Sequence, residues 1–407
     1  MVGTAEINAP EKSMNAETMI RRAELMIPKL RQRAEDAERR RTVPPETVQD
    51  FLDAGFYRIL QPLRFGGYEL GFPTFFEVMK TIARGCGSSG WMLCLTAAHT
   101  FHLAAFPEAG QVEVYGDNGD VRAPLIFAPQ GVAIPVEDGY RLTGRWNYNS
   151  GGEYGNWLAL GAAIPGTAAG EPPSDLLIAF IRREEYEIFD NWNTMGMRGT
   201  GSKQAVVEDV FVPQRRAISL SAWLRGEAPG YGVHANPLYR TPPMQMFCIE
   251  VATICVGLAE AAIDAFNDRV MTKVNPFPPF GKLRDERQAQ RRVGQARSRA
   301  DAANAVLQHM IANQLELAER ARGGFLEFKE EQLRRTLMHA QQTLRLARDC
   351  VECLFDGSGT SATQVGQPLE RIYRDLSMIR THYIMDEDRT AENWGAAFFG
   401  LAPYSQF

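Results

Sequence analysis

Apolar positions along this chain follow two different periods, and the changeovers divide it into three parts. From 14 to 41 the apolar residues repeat at helical spacing, with Arg and Glu on the other face, and Pro28 predicts a kink. A second helix is predicted from Pro45 to Gly55, after Thr42-Val43-Pro44. Phe56 to Gly71 reads as a loop around Gly66-Gly67, and helices are predicted over 73–84, 88–105 and 107–116. From Val121 to Leu220 the pattern changes to short alternating or apolar runs broken by turn residues. Gly139–Trp146, Trp157–Ala162, Leu176–Ile181 and Ala205–Val212, the last closed by Pro213, are the predicted strands. Residues 221–243, rich in Gly and Pro, read as a linker or lid. Helical spacing then returns in four long segments, Met244–Val270, Leu283–Arg320, Phe325–Phe355 and Leu369–Asp386. In the second, Val293, Ala296, Ala300, Ala303, Leu307 and Met310 form the stripe of a bundle helix.

The pattern therefore predicts a mostly helical protein with a central β-domain. A helical domain spans 1–118, a β-domain 119–218 and a C-terminal four-helix-bundle domain 219–407. At 407 residues and 45% hydrophobic content, the chain can bury a large core. A net charge of −5 leaves no nucleic-acid footprint, although Arg287, Arg291, Arg292, Arg297 and Arg299 cluster. The first 13 residues lack the apolar stretch of an export signal. The most apolar helical run, Val251–Phe266, is too short for a bilayer and carries Glu260 and Asp264. These features predict a soluble, cytoplasmic protein with no membrane or nucleic-acid partner. The six cysteines are too sparse for a disulfide scaffold. Cys350 and Cys353 lie one helical turn apart, a poor geometry for a disulfide, and no second pair or nearby histidine suggests zinc, so no metal site is expected.

Several runs carry more specific information. Pro368-Leu369-Glu370-Arg371-Ile372-Tyr373-Arg374-Asp375, preceded by Asp356-Gly357-Ser358-Gly359-Thr360, resembles the C-terminal helix of the acyl-CoA dehydrogenase fold. The order helical domain, β-domain, four-helix bundle is similar to that architecture over nearly the whole chain. Ser88-Ser89-Gly90-Trp91, His99 and Phe106-Pro107 resemble one branch of it, the oxygenase components of two-component, reduced-flavin-dependent aromatic hydroxylases. Gly144-Arg145-Trp146-Asn147-Tyr148-Asn149-Ser150-Gly151 is similar to their flavin-side strand, and Gly196-Met197-Arg198-Gly199-Thr200-Gly201-Ser202 to a loop that both branches share. Two departures separate the chain from the dehydrogenases. Tyr383 stands where their catalytic glutamate often stands, and their Glu-Pro-Gly-x-Gly-Ser-Asp run is replaced by Ala123 to Ala133. An alternative glutamate position falls near Phe247, with Glu250 three residues on, which leaves a shifted base open.

The resemblance implies reduced FMN or FAD with O2 as co-substrate, a flavin C4a-hydroperoxide as oxidant, a separate NAD(P)H:flavin reductase and a homotetramer. It implies catalytic roles for His382, facing the flavin, for His99, on the substrate side, and for Ser150, beside flavin N5, with Asn149 as its alternative. The alternative reading of Ser150 is a tight turn before Gly151-Gly152. Trp146, Asn149, Gly151, Arg198, Gly199, Thr200, Gly201 and Ser202 are the flavin-side candidates. Phe280 and Arg291 are candidates for reaching a flavin phosphate across a subunit boundary, and Gly359 and Thr360 are further cofactor-binding candidates. Phe127, Trp192, Trp223, Tyr231 and Phe247 are candidate pocket walls by position. No dinucleotide-binding or P-loop fingerprint is present. The leading expectation is hydroxylation of a phenolic or indolic ring. The alternatives are nitrogen or sulfur oxidation on the same fold, an acyl-CoA dehydrogenase, and a helical scaffold without an active site.

Overall fold

A computed structural model describes residues 14–116, 119–166, 171–278, 280–321 and 330–402, with Glu330 as backbone only. Helix α1, Ala16–Arg40, starts where Asn15 accepts a hydrogen bond from the Thr18 amide at 2.9 Å. It is continuous through Pro28 and buries Met19, Ala23, Met26, Leu30, Ala34 and Ala37 at three- and four-residue spacing. Helices α2 (Pro45–Asp53), α3 (Gly71–Gly85), α4 (Gly87–His102) and α5 (Glu108–Tyr115) complete the N-terminal part. The predicted 88–105 helix ends instead at His102, and a 3-10 turn over Leu103–Ala105 follows.

The middle part is one sheet. Its strands are β1 (Leu125–Ile126), β2 (Gly131–Val136), β3 (Gly139–Asn149), β4 (Trp157–Ile164), β5 (Asp175–Arg182), β6 (Glu187–Phe189), β7 (Lys203–Pro213) and β8 (Ala217–Ser219). They run in the order β6-β7-β3-β2-β4-β5-β8, with β1 parallel to β4. The register of β3 on β7 shifts between Trp146 and Asn149, and Tyr148 sits there at φ 71°. Such a break turns the end of a strand away from its ladder. It delivers Asn149 and Ser150 to the helical layer.

Residues 221–243 are packed rather than free to act as a lid. They hold the end of short helix α6 (Leu220–Leu224) and two 3-10 turns, with Trp223, Leu238 and Tyr239 buried. The Tyr239 hydroxyl donates to the Leu60 carbonyl at 3.0 Å.

The C-terminal part contains α7 (Pro243–Thr272), α8 (Arg287–Arg320), α9 (Glu330–Asp356), α10 (Pro368–Ile379) and α11 (Glu387–Phe398). Two expectations change here. Helix α7 has 30 residues, more than the apolar run suggested, and is long and apolar enough to cross a membrane. Yet 83% of its most apolar window is buried, which makes it the core helix of this part. The predicted Leu369–Asp386 helix stops at Ile379, because His382 adopts an extended backbone and its ring accepts the Ile384 amide. A side chain bonding to its own local backbone competes with helix continuation. A short fifth helix, α11, therefore follows. The predicted segment 325–329 lies outside the described residues. Cys350 and Cys353 are free thiols, as expected.

Candidate active site

Helix α4 organises the site. Its N-terminal half meets the end of β3 and the loop before β7, and its C-terminal half meets α7. Gly151, at φ 73°, lies so close to α4 that a Cβ there would come within 2.7 Å of Met92 and 2.8 Å of Thr96. Gly199 fits between α1 and α4, where a Cβ would touch Ala37 and Ser88 at 3.0 Å. The Met197 amide donates to Asp375 Oδ1 on α10 at 2.5 Å, and this bond fastens the loop to the C-terminal helices. Gly201, at φ 59°, completes the turn that sets Thr200 and Ser202.

At this first station the hydroxyls of Ser150, Ser202 and Thr200 form a buried chain. Ser150 Oγ is 2.7 Å from Ser202 Oγ, Ser202 Oγ is 2.6 Å from Thr200 Oγ1, and Thr200 donates to the Met197 carbonyl at 2.9 Å. Each hydroxyl has one proton. Because Thr200 gives its proton to a carbonyl, Ser202 must donate to Thr200, and Ser150 must donate to Ser202. The Trp91 indole N–H donates to Ser150 Oγ at 3.2 Å. One acceptor lone pair of Ser150 remains. Asn149 beside it is 1% exposed, with neither amide atom hydrogen-bonded among the described residues, and the Arg198 Nε is likewise buried and unpartnered. His382 stands edge-on to Trp91, ring centroids 5.8 Å apart.

Helix α10 ends before His382, so that residue reaches the station from a 3-10 turn and not from the helix itself. Its Nδ1 accepts the Ile384 amide at 3.4 Å, which places the proton of the neutral ring on Nε2. Surrounding protein disfavours the charged ring and draws its pKa down to about 4. The residue keeps solvent access in the single chain, and water there moderates that shift. Tyr383 turns outward and lies under the Arg389 guanidinium, 3.5 Å from the ring centroid.

The second station lies two helical turns further along α4, about 12 Å from Trp91. His99 is 2% exposed and Glu250, on α7, is 1% exposed. His99 Nδ1 accepts the Leu125 amide at 2.8 Å, while Nε2 lies 3.3 Å from Glu250 Oε2 without hydrogen-bond alignment. Burial lowers the His99 pKa to about 3 and holds that of Glu250 well above the carboxylate range. His102 packs 5.9 Å from His99, and Phe247 lies 5.5 Å from His99 and 5.4 Å from Phe127. Trp223 stands edge-on to His102 at 5.2 Å. Three of the five aromatic residues named from position thus gather here. Trp192 does not; its indole N–H bonds to the Met197 and Arg198 carbonyls. Tyr231 packs beside the Trp223 cluster.

Some candidates fall elsewhere. Trp146 is fully buried in the sheet core, and its Nε1 donates to the Gly161 carbonyl at 2.6 Å, which gives it a packing role. Phe280, Arg291, Gly359 and Thr360 are exposed beyond the far end of α7, where Arg269 bonds the Ser358 carbonyl. Arg269 is 19 residues past Glu250, about 28 Å along the helix. Within one chain these four do not join the His99 station. Three residues at the stations carry no role in the sequence reading; one is His102, which packs against His99. Trp91 appeared only as part of a motif, and Glu250 only as a shifted base.

Two family models match the chain: the acyl-CoA dehydrogenase N-terminal domain over 14–114 and the acyl-CoA dehydrogenase C-terminal domain over 249–387. The chain is 34% identical to the flavin-dependent monooxygenase oxygenase subunit HsaA of Rhodococcus jostii (strain RHA1), over 94% of this chain and 98% of that protein. It is 29% identical to the FADH2-dependent resorcinol hydroxylase oxygenase component of Rhizobium sp. (strain MTP-10005), over 93% of each. Its structure is similar to the crystal structure of the HsaA monooxygenase from M. tuberculosis, with a TM-score of 0.88 and 31% identity over 97% of this chain and all of that one.

Proposed function

Because the chain belongs to the oxygenase components of two-component flavin-dependent monooxygenases, on the acyl-CoA dehydrogenase fold, we infer that it hydroxylates an aromatic ring bearing a hydroxyl group or an indole nitrogen. The observation that carries this reading is the pair of polar stations on one helix, two turns apart. One is lined by hydroxyls and an unpartnered amide, the other by aromatic rings around His99 and Glu250.

The first station fits the polar edge of a flavin. Ser150 offers an acceptor, and the Asn149 amide and Arg198 Nε lack partners in a buried setting where such groups normally have one. Reduced flavin, when bound, supplies the electrons that activate O2. Ser150 would accept the N5 hydrogen, its own proton being committed to Ser202, and would hold that hydrogen in place. His382 would present Nε2–H on the same side. The buried position of Ser150, Ser202 and Thr200 excludes water, and water exclusion limits side reactions such as peroxide release.

The second station fits a flat substrate. Phe247, Phe127 and Trp223 supply apolar faces, and His99 Nε2–H supplies a hydrogen-bond donor for a ring oxygen. Phe280, Arg291, Gly359 and Thr360 would contribute to a neighbouring chain's flavin in a homotetramer, and a separate NAD(P)H:flavin reductase would supply the reduced flavin.

The test is anaerobic titration with FMNH2 and FADH2, followed by mixing with 18O2 and a panel containing phenol, resorcinol and indole-3-acetate. One labelled oxygen in a hydroxylated product supports the reading. Tight oxidised FAD that an acyl-CoA reduces directly would overturn it, as would labelled oxygen appearing only on nitrogen or sulfur of other acceptors.

A further inference from the structure

Resting on the phenolic reading above, we propose that Glu250, rather than His99, takes the proton from the substrate's ring hydroxyl, while His99 donates a hydrogen bond to the oxygen left behind. The assignment follows from where protons can sit. His99 Nδ1 accepts the Leu125 amide at 2.8 Å, and that bond uses the lone pair. The neutral ring therefore carries its proton on Nε2 and can only donate there. A group that donates at the substrate oxygen cannot also remove its proton.

Glu250 has the missing capacity. It projects from α7 toward α4, is 1% exposed, and neither carboxyl oxygen has a hydrogen-bond partner among the described residues. Its Oε2 lies 3.3 Å from His99 Nε2, so a hydroxyl standing beside the pair, at the apex of a triangle with both atoms, would meet both. The other titratable groups whose charge couples to Glu250 are Cys94 on α4 and Cys248 on α7, with His102 behind His99. None is a cation that would hold the carboxylate as an ion pair. An unpartnered buried carboxyl is costly.

The proton step balances. The substrate O–H bond breaks, an O–H bond forms on a Glu250 oxygen, and the negative charge moves from carboxylate to phenolate. With Glu250 ionised, at a pH above its raised pKa, one buried anion exists before and after, so no new charge is created in the buried pocket. Transfer to His99 would instead create a phenolate and an imidazolium together. Burial also raises the affinity of Glu250 for a proton, which narrows its gap to a phenol with a pKa near 10.

The test uses 7-hydroxycoumarin, whose phenol and phenolate forms have separate absorption bands, bound anaerobically to the full-length enzyme with reduced flavin. Wild type should bind the probe largely as phenolate at a pH where E250Q binds it as phenol, with the ionised fraction falling about tenfold or more. H99N, whose amide oxygen can keep the Leu125 bond, should still ionise the probe while binding it more weakly. In turnover, the rising limb of the hydroxylation rate with pH should be present in wild type and absent in E250Q. Should E250Q not fold, E250M, an apolar replacement that removes the unpartnered carboxyl, gives the same reading. If E250Q ionises the probe as wild type does, the assignment is overturned, and loss of ionisation in H99N alone would name His99 as the base. If wild type binds neither this probe nor phenol, the phenolic reading falls and this assignment with it.

Discussion

A hydroxyl has one proton to give, and at Ser150 that proton points to Ser202. Replacing Ser150 with Ala should raise hydrogen peroxide release per reduced flavin consumed and leave substrate affinity little changed. Ser202→Ala should produce a smaller change in the same direction, because the Ser150 proton is then free to turn toward the flavin side. Both are read by measuring peroxide and hydroxylated product in one reaction, and unchanged coupling in S150A would leave Ser150 as a turn residue. His382 offers a finer distinction. Asn can replace its Nδ1 as acceptor for the Ile384 amide, but it has nothing equivalent to Nε2. If Nε2 works as an acid–base group, His382→Ala and His382→Asn should both slow hydroxylation by about 10²–10⁴. Near-normal product formation in H382N alone would reduce the role to holding the 3-10 turn. Normal rates in both would make His382 structural.

At the scale of elements, the site depends on how closely α4 approaches the end of β3. Gly151→Ala should destabilise the fold by roughly 1–3 kcal/mol, since it combines a positive φ with contacts inside van der Waals distance. Urea unfolding of wild type and variant would measure this, and an equal midpoint would show that Met92 and Thr96 can yield. The helices and the sheet were legible because their apolar residues keep a regular period, as the α1 stripe shows. The motif around Ser150 and the Thr200–Ser202 loop were legible for a different reason: short polar runs between glycines survive as recognisable strings. The end of α10 was not legible. It depends on a side-chain bond from His382 to the Ile384 amide, which no apolar pattern records. Trp146 misled for a related reason. A tryptophan in a flavin-side motif alternates like its neighbours, and only the ladder reveals that its indole bonds the Gly161 carbonyl inside the sheet. The Glu250–His99 pairing joins residues far apart in sequence, so spacing could not bring them together.

At the scale of the whole molecule, one chain leaves large apolar residues uncovered. Phe398 is 86% exposed, Phe399 75%, Phe277 72% and Phe280 61%. Phe398 and Phe399 are chain neighbours at the end of α11, and Phe277 and Phe280 lie in one turn beyond α7, so the exposed rings form two separate pairs that a partner chain would cover. Light scattering should give a homotetramer, and a stable, active monomer would remove that expectation along with the shared flavin site. The hydrogen bond from the Met197 amide to Asp375 has a consequence of another kind. It ties the loop before β7 to α10 through a carboxyl that burial pushes up to about 7 from an ordinary 3.8. In the folded protein this group keeps its proton after the unfolded chain has released it. Its contribution is thus complete at acid pH and is lost as pH rises from about 4 through 7. Asp375→Asn keeps an oxygen for the Met197 amide and has no proton to lose. The melting temperature of wild type should therefore fall relative to D375N across that interval, and parallel curves would show that Asp375 is ionised throughout. The joint between the loop before β7 and α10 thus gives the stability of the fold a pH dependence that arises away from the reacting groups.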